Sequence, residues 1–267
     1  MFMQMAARRR RMGGFSPFGL FKSSEPGVWL DPSDLSTLFQ DDAGTTPVTA
    51  AGQSVGLVLD KSGRGNHAKQ ATAAKRPIYQ VDSDGRGYLS FDGTDDALIT
   101  PKITPGTDKV QVFAGVRKLS DSTTQVLYEL SANINNNNGS FLAAPGYSGT
   151  GSTTGPYWNV ASKGTAAIGA TSAPDFPAPQ TAVQTHLSDI GGDMLTLRIN
   201  GAQVAQSTSD QGTGNFLAYP LYIGMRGGSS QPFNGRLYGL ITRFGPNLAA
   251  DQISQAERWM NTRTGAF

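Results

Sequence analysis

The chain has 267 residues, of which 33 are glycine and 15 are proline, and only 16% of them are charged. This length suits one large all-β domain, and the composition is typical of many short strands joined by tight turns rather than of a disordered chain. No cysteine is present, which excludes a disulfide framework, a thiolate metal site and a cysteine nucleophile.

The formal net charge of +2 is unevenly distributed along the chain. Residues 1–27 carry five basic side chains against one acid, whereas residues 28–267 carry 17 basic and 19 acidic side chains. The first segment therefore has a net charge of +4, and the rest has −2. A nucleic-acid-binding domain carries its positive charge on a folded face, so we expect no nucleic-acid partner.

Residues 1–27 show no helical or strand periodicity. Glycine and proline interrupt the apolar run that a signal peptide would need, and no stretch approaches the roughly 20 apolar residues of a membrane span. We therefore expect no membrane insertion, which leaves a biased disordered tail or a docking arm. Arginine and phenylalanine are typical interface anchors, which favours an arm that docks through Arg8, Arg9, Arg10, Arg11, Phe15, Phe18 and Phe21. The predicted organisation is this arm, followed by one domain over residues 28–267.

Turn signals and short apolar runs alternate from Val28 onward. Asp60, Ser62 and Asn66 can bond their own backbone, and Asp92-Gly93 ends a β-compatible run sharply. Predicted strands lie at residues 54–60, 88–91, 97–99, 110–116 and 125–130.

The composition changes between residues 131 and 181, where asparagine, glycine, serine and threonine dominate. Strands here should be short and loops long, and long ordered loops tend to carry binding. Aromatic rings beside amide groups suit a sugar, so Tyr147, Tyr157, Trp158 and Asn159 are candidate carbohydrate-binding residues. The alternative is that Trp158 packs inside the sandwich, since tryptophan is well buried on average.

The last third of the sequence has strong structural signals. Asn200-Gly201 predicts a type I′ hairpin turn between two alternating segments. Apolar residues at helical spacing predict one helix over residues 247–262, and Gly265 is placed as its stop. Predicted strands lie at residues 194–199, 202–205, 221–224 and 236–244.

Two groups of segments resemble known families. The segments LTLRINGAQV, LYIGMRGG and FNGRLYGLITRF, followed by a short helix, resemble the C-terminal part of laminin-G/concanavalin-A-like jelly-roll domains. The segments DPSDLSTLFQDDAGTTPVT, DKSGRGNHA and ATAAKRPIY resemble a leader found in tailed-phage virion proteins of this type. The resemblance covers about residues 28–265. It implies an all-β antiparallel β-sandwich, a jelly roll, with one short C-terminal helix and an extended N-terminal arm.

The resemblance also implies a function, because it points to a structural protein on the exposed surface of a phage particle, made in the host cytoplasm. Such a protein would be a tail-tip, fibre or head-decoration component that docks on other virion proteins through its arm. Its sandwich would bind a host-surface glycan, and the chain would form homo-oligomers. The alternatives are an architectural cement protein that binds no sugar and a glycan depolymerase, because this fold hosts several functions.

Catalytic signatures are absent from the sequence. Glucanases of this fold use a Glu-x-Asp-x-x-Glu pattern, but Glu25, Glu129 and Glu257 lie far apart. His67 and His186 have no Gly-x-Ser-x-Gly partner, and phosphate-loop and dinucleotide patterns are missing. We therefore expect no catalytic residues, no cofactor and no enzymatic activity.

Carboxylates in turns raise the question of calcium, which relatives of this fold can hold. Asp60, Asp92, Asp95 and Asp96 have the oxygen ligands that calcium requires. Aspartate is also expected at these turns for backbone reasons alone. We therefore expect no metal site.

Overall fold

The structure is a computed structural model that describes residues 14–146 and 155–267. These residues form two antiparallel sheets and one α-helix near the C-terminus, which confirms the predicted β-sandwich. The strands are β1 Gly27–Leu30, β2 Leu38–Phe39, β3 Leu57–Val58, β4 Ala68–Lys69, β5 Ile78–Val81, β6 Gly87–Asp92, β7 Leu98–Ile103, β8 Lys109–Lys118, β9 Tyr128–Leu130, β10 Ser140–Pro145, β11 Trp158–Lys163, β12 Ala167–Thr171, β13 Gln180–Asp189, β14 Met194–Ile199, β15 Ala202–Ser207, β16 Tyr219–Ile223 and β17 Asn234–Phe244. The helix α1 spans Ala250–Thr264, and 3₁₀ turns span Pro17–Phe21, Leu35–Thr37 and Ala73–Lys75.

The two sheets are large, and each combines hairpins with pairs of strands that are distant in the chain. The first has eight strands in the order β15-β14-β13-β8-β17-β6-β5, and β1 pairs with β17 as well. The second has nine strands in the order β12-β11-β10-β9-β16-β7-β4-β3-β2. Among the described strands, seven of the fifteen neighbouring pairs join strands that are not consecutive in the chain, so tertiary pairing as well as local hairpins sets the position of the strands.

The main core lies between the sheets and follows the two-residue alternation of strand side chains. In β10 and β11, Phe141, Ala143, Trp158 and Val160 belong to this core. The side chains between them face the other way, onto the outer surface of the second sheet. This alternation decides which residues of the segment are available to a ligand.

A second apolar cluster covers the outer face of the first sheet. Phe113 and Ile241, on central strands β8 and β17, pack there against Met260 of α1 and against Leu20 and Phe21. The helix is therefore held by its apolar face, as its sequence predicted. It spans Ala250–Thr264, close to the predicted limits, and the left-handed Gly265 follows it as the predicted stop. No helix in the described segments is long and apolar enough to cross a membrane.

The structure changes the interpretation of the N-terminal arm. Phe21 is fully buried against its own chain and Phe15 packs against the same cluster, whereas Phe18 is 52% exposed. The prediction that Phe21 docks a partner is therefore wrong, because its ring already contributes to the cluster beneath α1. Arg8–Arg11 lie outside the described residues.

Two predicted turns have the backbone that their residues favour. Asn200 and Gly201 both have positive φ, 52° and 79°, as a type I′ turn between β14 and β15 requires. The Asp60 carboxylate accepts hydrogen bonds from the Trp29, Ser62 and Asn66 amides at 2.8–2.9 Å. Asp60 therefore joins β1 to the turn that follows β3.

Candidate functional site

A groove of about 330 Å³ lies on the outer face of the second sheet, over strands β10 to β12. We call it the outer groove. Its floor is apolar and its rim carries amide and guanidinium groups. It is lined by Thr124, Val126, Ile134, Asn135, Leu142, Ala144, Asn159, Ala161, Ala167, Ile168, Gly169, Arg226 and Gln231.

The floor exists because the outward positions of β10, β11 and β12 carry small side chains. Leu142 pairs with Ala161, and Ala161 pairs in turn with Gly169. Ala144 pairs with Asn159, which adds one polar group to this row. Because Ala144, Ala161 and Gly169 are small, the outer face keeps a shallow depression beside them that a ligand could fill.

Two buried charged residues hold the loop that forms one wall. Glu129 of β9 is fully buried, and its Oε1 accepts a hydrogen bond from the Ile134 amide. Lys163 of β11 donates from Nζ to the Ile134 carbonyl at 3.0 Å and to the Asn135 carbonyl at 2.8 Å. These bonds fix the loop backbone and place Asn135 on the rim.

Arg226 forms another wall of the groove and is anchored to the same carboxylate. Its Nε donates to Glu129 Oε2 at 2.8 Å. Its backbone is held in a tight turn by the Arg226 amide, which donates to the Ser230 carbonyl at 2.9 Å. Burial raises the pKa of Glu129 above its usual value, against the lowering effects of Arg226 and the Ile134 N–H.

Two strained residues lie beside this wall. Ser131 has φ of 113° and Gln231 has φ of 51°, conformations that are uncommon for residues with side chains. Within the described structure, Gln231 Oε1 and Ser131 Oγ are buried without a hydrogen-bond partner. Such conformations persist only where the surrounding structure enforces them, and they are concentrated at ligand-binding and active sites.

Asn159 presents a polar edge to the floor. Its Nδ2 donates to Thr171 Oγ1 at 2.7 Å, which fixes the amide plane. An apolar floor beside oriented amides and a guanidinium can bind a ligand with one apolar face and several hydroxyls. A sugar ring has this chemistry.

The predicted carbohydrate-binding residues are separated by the fold. Trp158 is fully buried in the main core, and its Nε1 donates to Gln180 Oε1 at 2.8 Å, so its ring cannot stack on a sugar. The prediction for Trp158 is therefore wrong, and the alternative of core packing holds. Asn159 lines the outer groove, whereas Tyr157 is half-buried and is not among the residues that line it. Tyr147 lies outside the described residues.

The aspartates considered for calcium lie in two different places. Asp92, Asp95 and Asp96 bring carboxylate oxygens within 4.8 Å of one another after β6. The Asp92 Oδ1 accepts the Thr94 amide at 2.7 Å, and burial raises the pKa of Asp96 to about 6. These contacts are those of a turn, and Asp60 lies in the other turn described above. The expected absence of metal stays a prediction.

Each glutamate in the chain is paired with an arginine. Glu25 accepts from Arg243 at 3.1 Å, in addition to the Glu129–Arg226 pair. Glu257 accepts from Arg198 at 2.7 Å. None of the three glutamates lies with another as the two carboxylates of a glycosidase would.

The two histidines have structural surroundings. His67 Nδ1 accepts the Asp60 amide at 2.9 Å, within the turn after β3. His186 is fully buried between Tyr128 and Phe141, and burial lowers its pKa to about 3.

The fold is shared with solved structures of carbohydrate-active proteins, although no family model matches the chain and no curated protein matches its sequence. An arabinofuranosidase complexed with arabinofuranosyl-α-1,2-xylobiose has a TM-score of 0.63 at 13% identity, over 94% of this chain and 65% of that chain. Domain 4 of AbnA, an extracellular arabinanase from Geobacillus stearothermophilus, in complex with arabinotriose, has a TM-score of 0.50 at 16% identity, over 74% and 91%. The binding domain of botulinum neurotoxin DC in complex with SialylT has a TM-score of 0.57 at 11% identity, over 92% and 52%.

These likenesses show the fold, a β-sandwich of the kind used by carbohydrate-binding and glycosidase proteins. The chain spans less than two thirds of the length of the arabinofuranosidase. The expectation that the chain is not an enzyme is corrected by this comparison, because a glycoside hydrolase shares the sandwich over nearly the whole chain. The missing Glu-x-Asp-x-x-Glu pattern belongs to one set of glucanases and does not exclude hydrolysis on this fold.

Proposed function

We propose that this chain is a carbohydrate-binding protein and that the outer groove is its glycan site. The observation that carries the proposal is the composition of the groove. A floor of Leu142, Ala144 and Ala161 is bordered by the polar side chains of Asn159 and Arg226. The groove volume, about 330 Å³, lies at the lower end of the range for small-molecule sites.

The groove matches the two surfaces of a sugar. The C–H face of a pyranose or furanose ring can cover the apolar floor, while its hydroxyls meet the rim. Gln231 Oε1 is a buried acceptor without a partner, so a ligand hydroxyl that donated to it would satisfy an otherwise unmade hydrogen bond. Asn135 and Asn159 supply further amide groups on either side.

The similar structures support this assignment through their ligands. The arabinofuranosidase was solved with arabinofuranosyl-α-1,2-xylobiose, and domain 4 of AbnA with arabinotriose. The neurotoxin binding domain was solved with SialylT. Three proteins with this sandwich therefore hold saccharides, and short pentose oligomers are sensible first probes.

The finer proposal is that the protein acts on the surface of a tailed-phage particle and attaches it to a host glycan. It is supported by the resemblance of residues 28–79 to virion proteins. Weak sites gain avidity when several copies are displayed together, so a homo-oligomer suits this role. Detection of the chain in purified particles by mass spectrometry tests the location, and its absence from them would contradict it.

The binding proposal is tested with the full chain on an array of neutral and acidic oligosaccharides that includes arabino-oligosaccharides. Ala161→Trp fills the floor of the groove and should reduce binding at least tenfold. Ala202→Trp, at an exposed position on β15 of the other sheet, is the matched control and should bind like the wild type. Equal binding by Ala161→Trp would contradict the site, and no binding to any glycan would favour the cement protein.

A second candidate function, glycan hydrolysis, is favoured by the arabinofuranosidase fold. Such a reaction uses two carboxylates on either side of the glycosidic bond. Asp92, Asp95 and Asp96 form one cluster of carboxylates among the described residues. Release of shorter sugars from the array ligands, lost in Asp96→Asn, would establish this function, and intact ligands after prolonged incubation would contradict it.

A further inference from the structure

One wall of the outer groove is a guanidinium held at a single nitrogen. Nε of Arg226 donates to Glu129 Oε2 at 2.8 Å, and the turn from Arg226 to Ser230 fixes the backbone. In the part of the chain that the structure describes, Nη1 and Nη2 of Arg226 have no acceptor. Two parallel donors are therefore available at a side chain that is already oriented.

Nothing in the described lining of the groove opposes a negative charge. Arg226 is its one charged residue, and the rest are apolar, amide or hydroxyl side chains. Glu129, which balances Arg226, is fully buried beneath the rim, and both of its oxygens already accept hydrogen bonds, from Ile134 and Arg226. Lys163 adds a second positive charge behind the Asn135 loop.

We propose that the outer groove selects saccharides that carry a carboxylate, such as uronic or sialic acids, through the Nη1 and Nη2 atoms of Arg226. This inference rests on the proposed glycan-binding function and names the ligand class for the same site. A guanidinium fork matches a carboxylate in a bidentate geometry, and charge-assisted hydrogen bonds of this kind are roughly twice as strong as neutral ones.

The anchoring by Glu129 gives Arg226 more than a structural role. An arginine that only balanced a buried carboxylate would direct two of its nitrogens toward the two carboxylate oxygens. Arg226 instead donates to Glu129 through Nε alone. The guanidinium loses little side-chain freedom when a ligand binds, because its orientation is already set. Gln231, with an unpartnered Oε1, lies on the same wall and can accept a neighbouring hydroxyl.

The test compares ligands that differ only in the carboxylate. Trigalacturonic acid and its methyl ester are titrated into the full chain by calorimetry at low salt, and sialyllactose and its methyl ester form a second pair. We expect each acid to bind at least tenfold more tightly than its neutral partner. The difference should shrink as salt is added, because a partly exposed charge pair is screened.

The variants test whether the guanidinium of Arg226 determines the preference for acids, without unfolding the protein. Arg226→Gln alone leaves Glu129 buried without its partner and can unfold the protein, so the main variant is the double substitution Glu129→Gln with Arg226→Gln. It should bind acid and ester within twofold of each other, with an unchanged thermal transition. Arg226→Lys keeps the charge without the fork and should retain part of the preference. Ala202→Trp serves again as the control with full preference.

The outcomes distinguish the two proposals. If the wild type binds neutral glycans of the array as tightly as acidic ones, the carboxylate inference is overturned and the glycan-binding function stands. A preference for acids that survives the double substitution would overturn the role of Arg226. Binding to no saccharide, acidic or neutral, would overturn both proposals together.

Discussion

Nε of Arg198, on β14, donates a hydrogen bond to Oε1 of Glu257, on α1, at 2.7 Å. The same carboxylate oxygen accepts from Thr185 Oγ1 of β13 at 3.0 Å, and Glu257 is almost fully buried. This polar contact ties the helix to two strands of the first sheet beside the apolar cluster around Met260. The polar contacts of Glu257 therefore fix the position of the helix along the sheet, in addition to the apolar contacts that hold it against the sheet.

Glu257→Ala should destabilise the protein by about 2–4 kcal/mol, because it leaves Arg198 and Thr185 without their shared partner in a mostly buried place. Urea denaturation measures the change in unfolding free energy. Arg258→Ala, at an exposed position on the same helix, is the control and should shift it by less than about 0.5 kcal/mol. Equal effects of the two substitutions would contradict the role of this contact.

Asp96→Asn should increase stability at neutral pH. Burial raises the folded-state pKa of Asp96 to about 6 from an ordinary value of 3.8, so wild-type stability falls as pH rises through this window. The asparagine of the variant does not ionise, so its unfolding free energy does not fall in this window. The difference in unfolding free energy between variant and wild type should therefore grow by about 3 kcal/mol between pH 3.5 and pH 7. The measurement is unfolding free energy against pH, with Asp175→Asn as a control for loss of one exposed charge. A difference that is constant with pH would refute this.

His186 should make the protein less stable in acid. Burial lowers its folded-state pKa to about 3 from 6.5, so the unfolded chain takes up a proton that the folded chain refuses. The loss should be about 2 kcal/mol between pH 7 and pH 5. In His186→Leu this part of the slope should vanish, as measured by chemical denaturation at each pH. An identical slope in both proteins would show that another group is responsible.

Gly224→Ala should destabilise the sandwich severely. Gly224 has φ of 85°, and an added Cβ would lie 2.3 Å from the Phe91 ring. Gly52→Ala is the matched control, since φ is 88° there but no atom lies within 4 Å. We expect about 1 kcal/mol for Gly52→Ala from the backbone alone and at least about 3 kcal/mol for Gly224→Ala. Similar shifts of the unfolding temperature in the two variants would mean that the Phe91 ring moves aside at little cost.

Local signals in the sequence predicted much of the fold. The Asn200-Gly201 turn, the long strand ending at Phe244 and the helix after it appear where their patterns placed them. These features depend on residues that are neighbours in the chain, so periodicity and turn chemistry suffice. Residues 131–181 were predicted only as short strands and long loops, so the faces of β11 could not be assigned.

The candidate site could not be derived in the same way. Glu129 and Arg226 are 97 positions apart and meet only because β9 pairs with β16, which leads into the turn after it. The groove floor depends on small residues such as Ala161, which carry no chemical signature. Trp158 was predicted as a carbohydrate-binding residue from its residue type, yet the register of β11 places its ring in the core. Its neighbour Asn159 faces outward for the same reason.

The described N-terminal end of the chain lies on the side of the molecule opposite the outer groove. Residues near Gly14 line a surface together with α1, while the groove lies on the far sheet. A carrier protein, a label or a solid support joined directly ahead of Gly14 would therefore lie behind the first sheet. The groove would then face away from the attachment, so a fusion at this end is suited to measuring its ligands and to displaying many copies side by side.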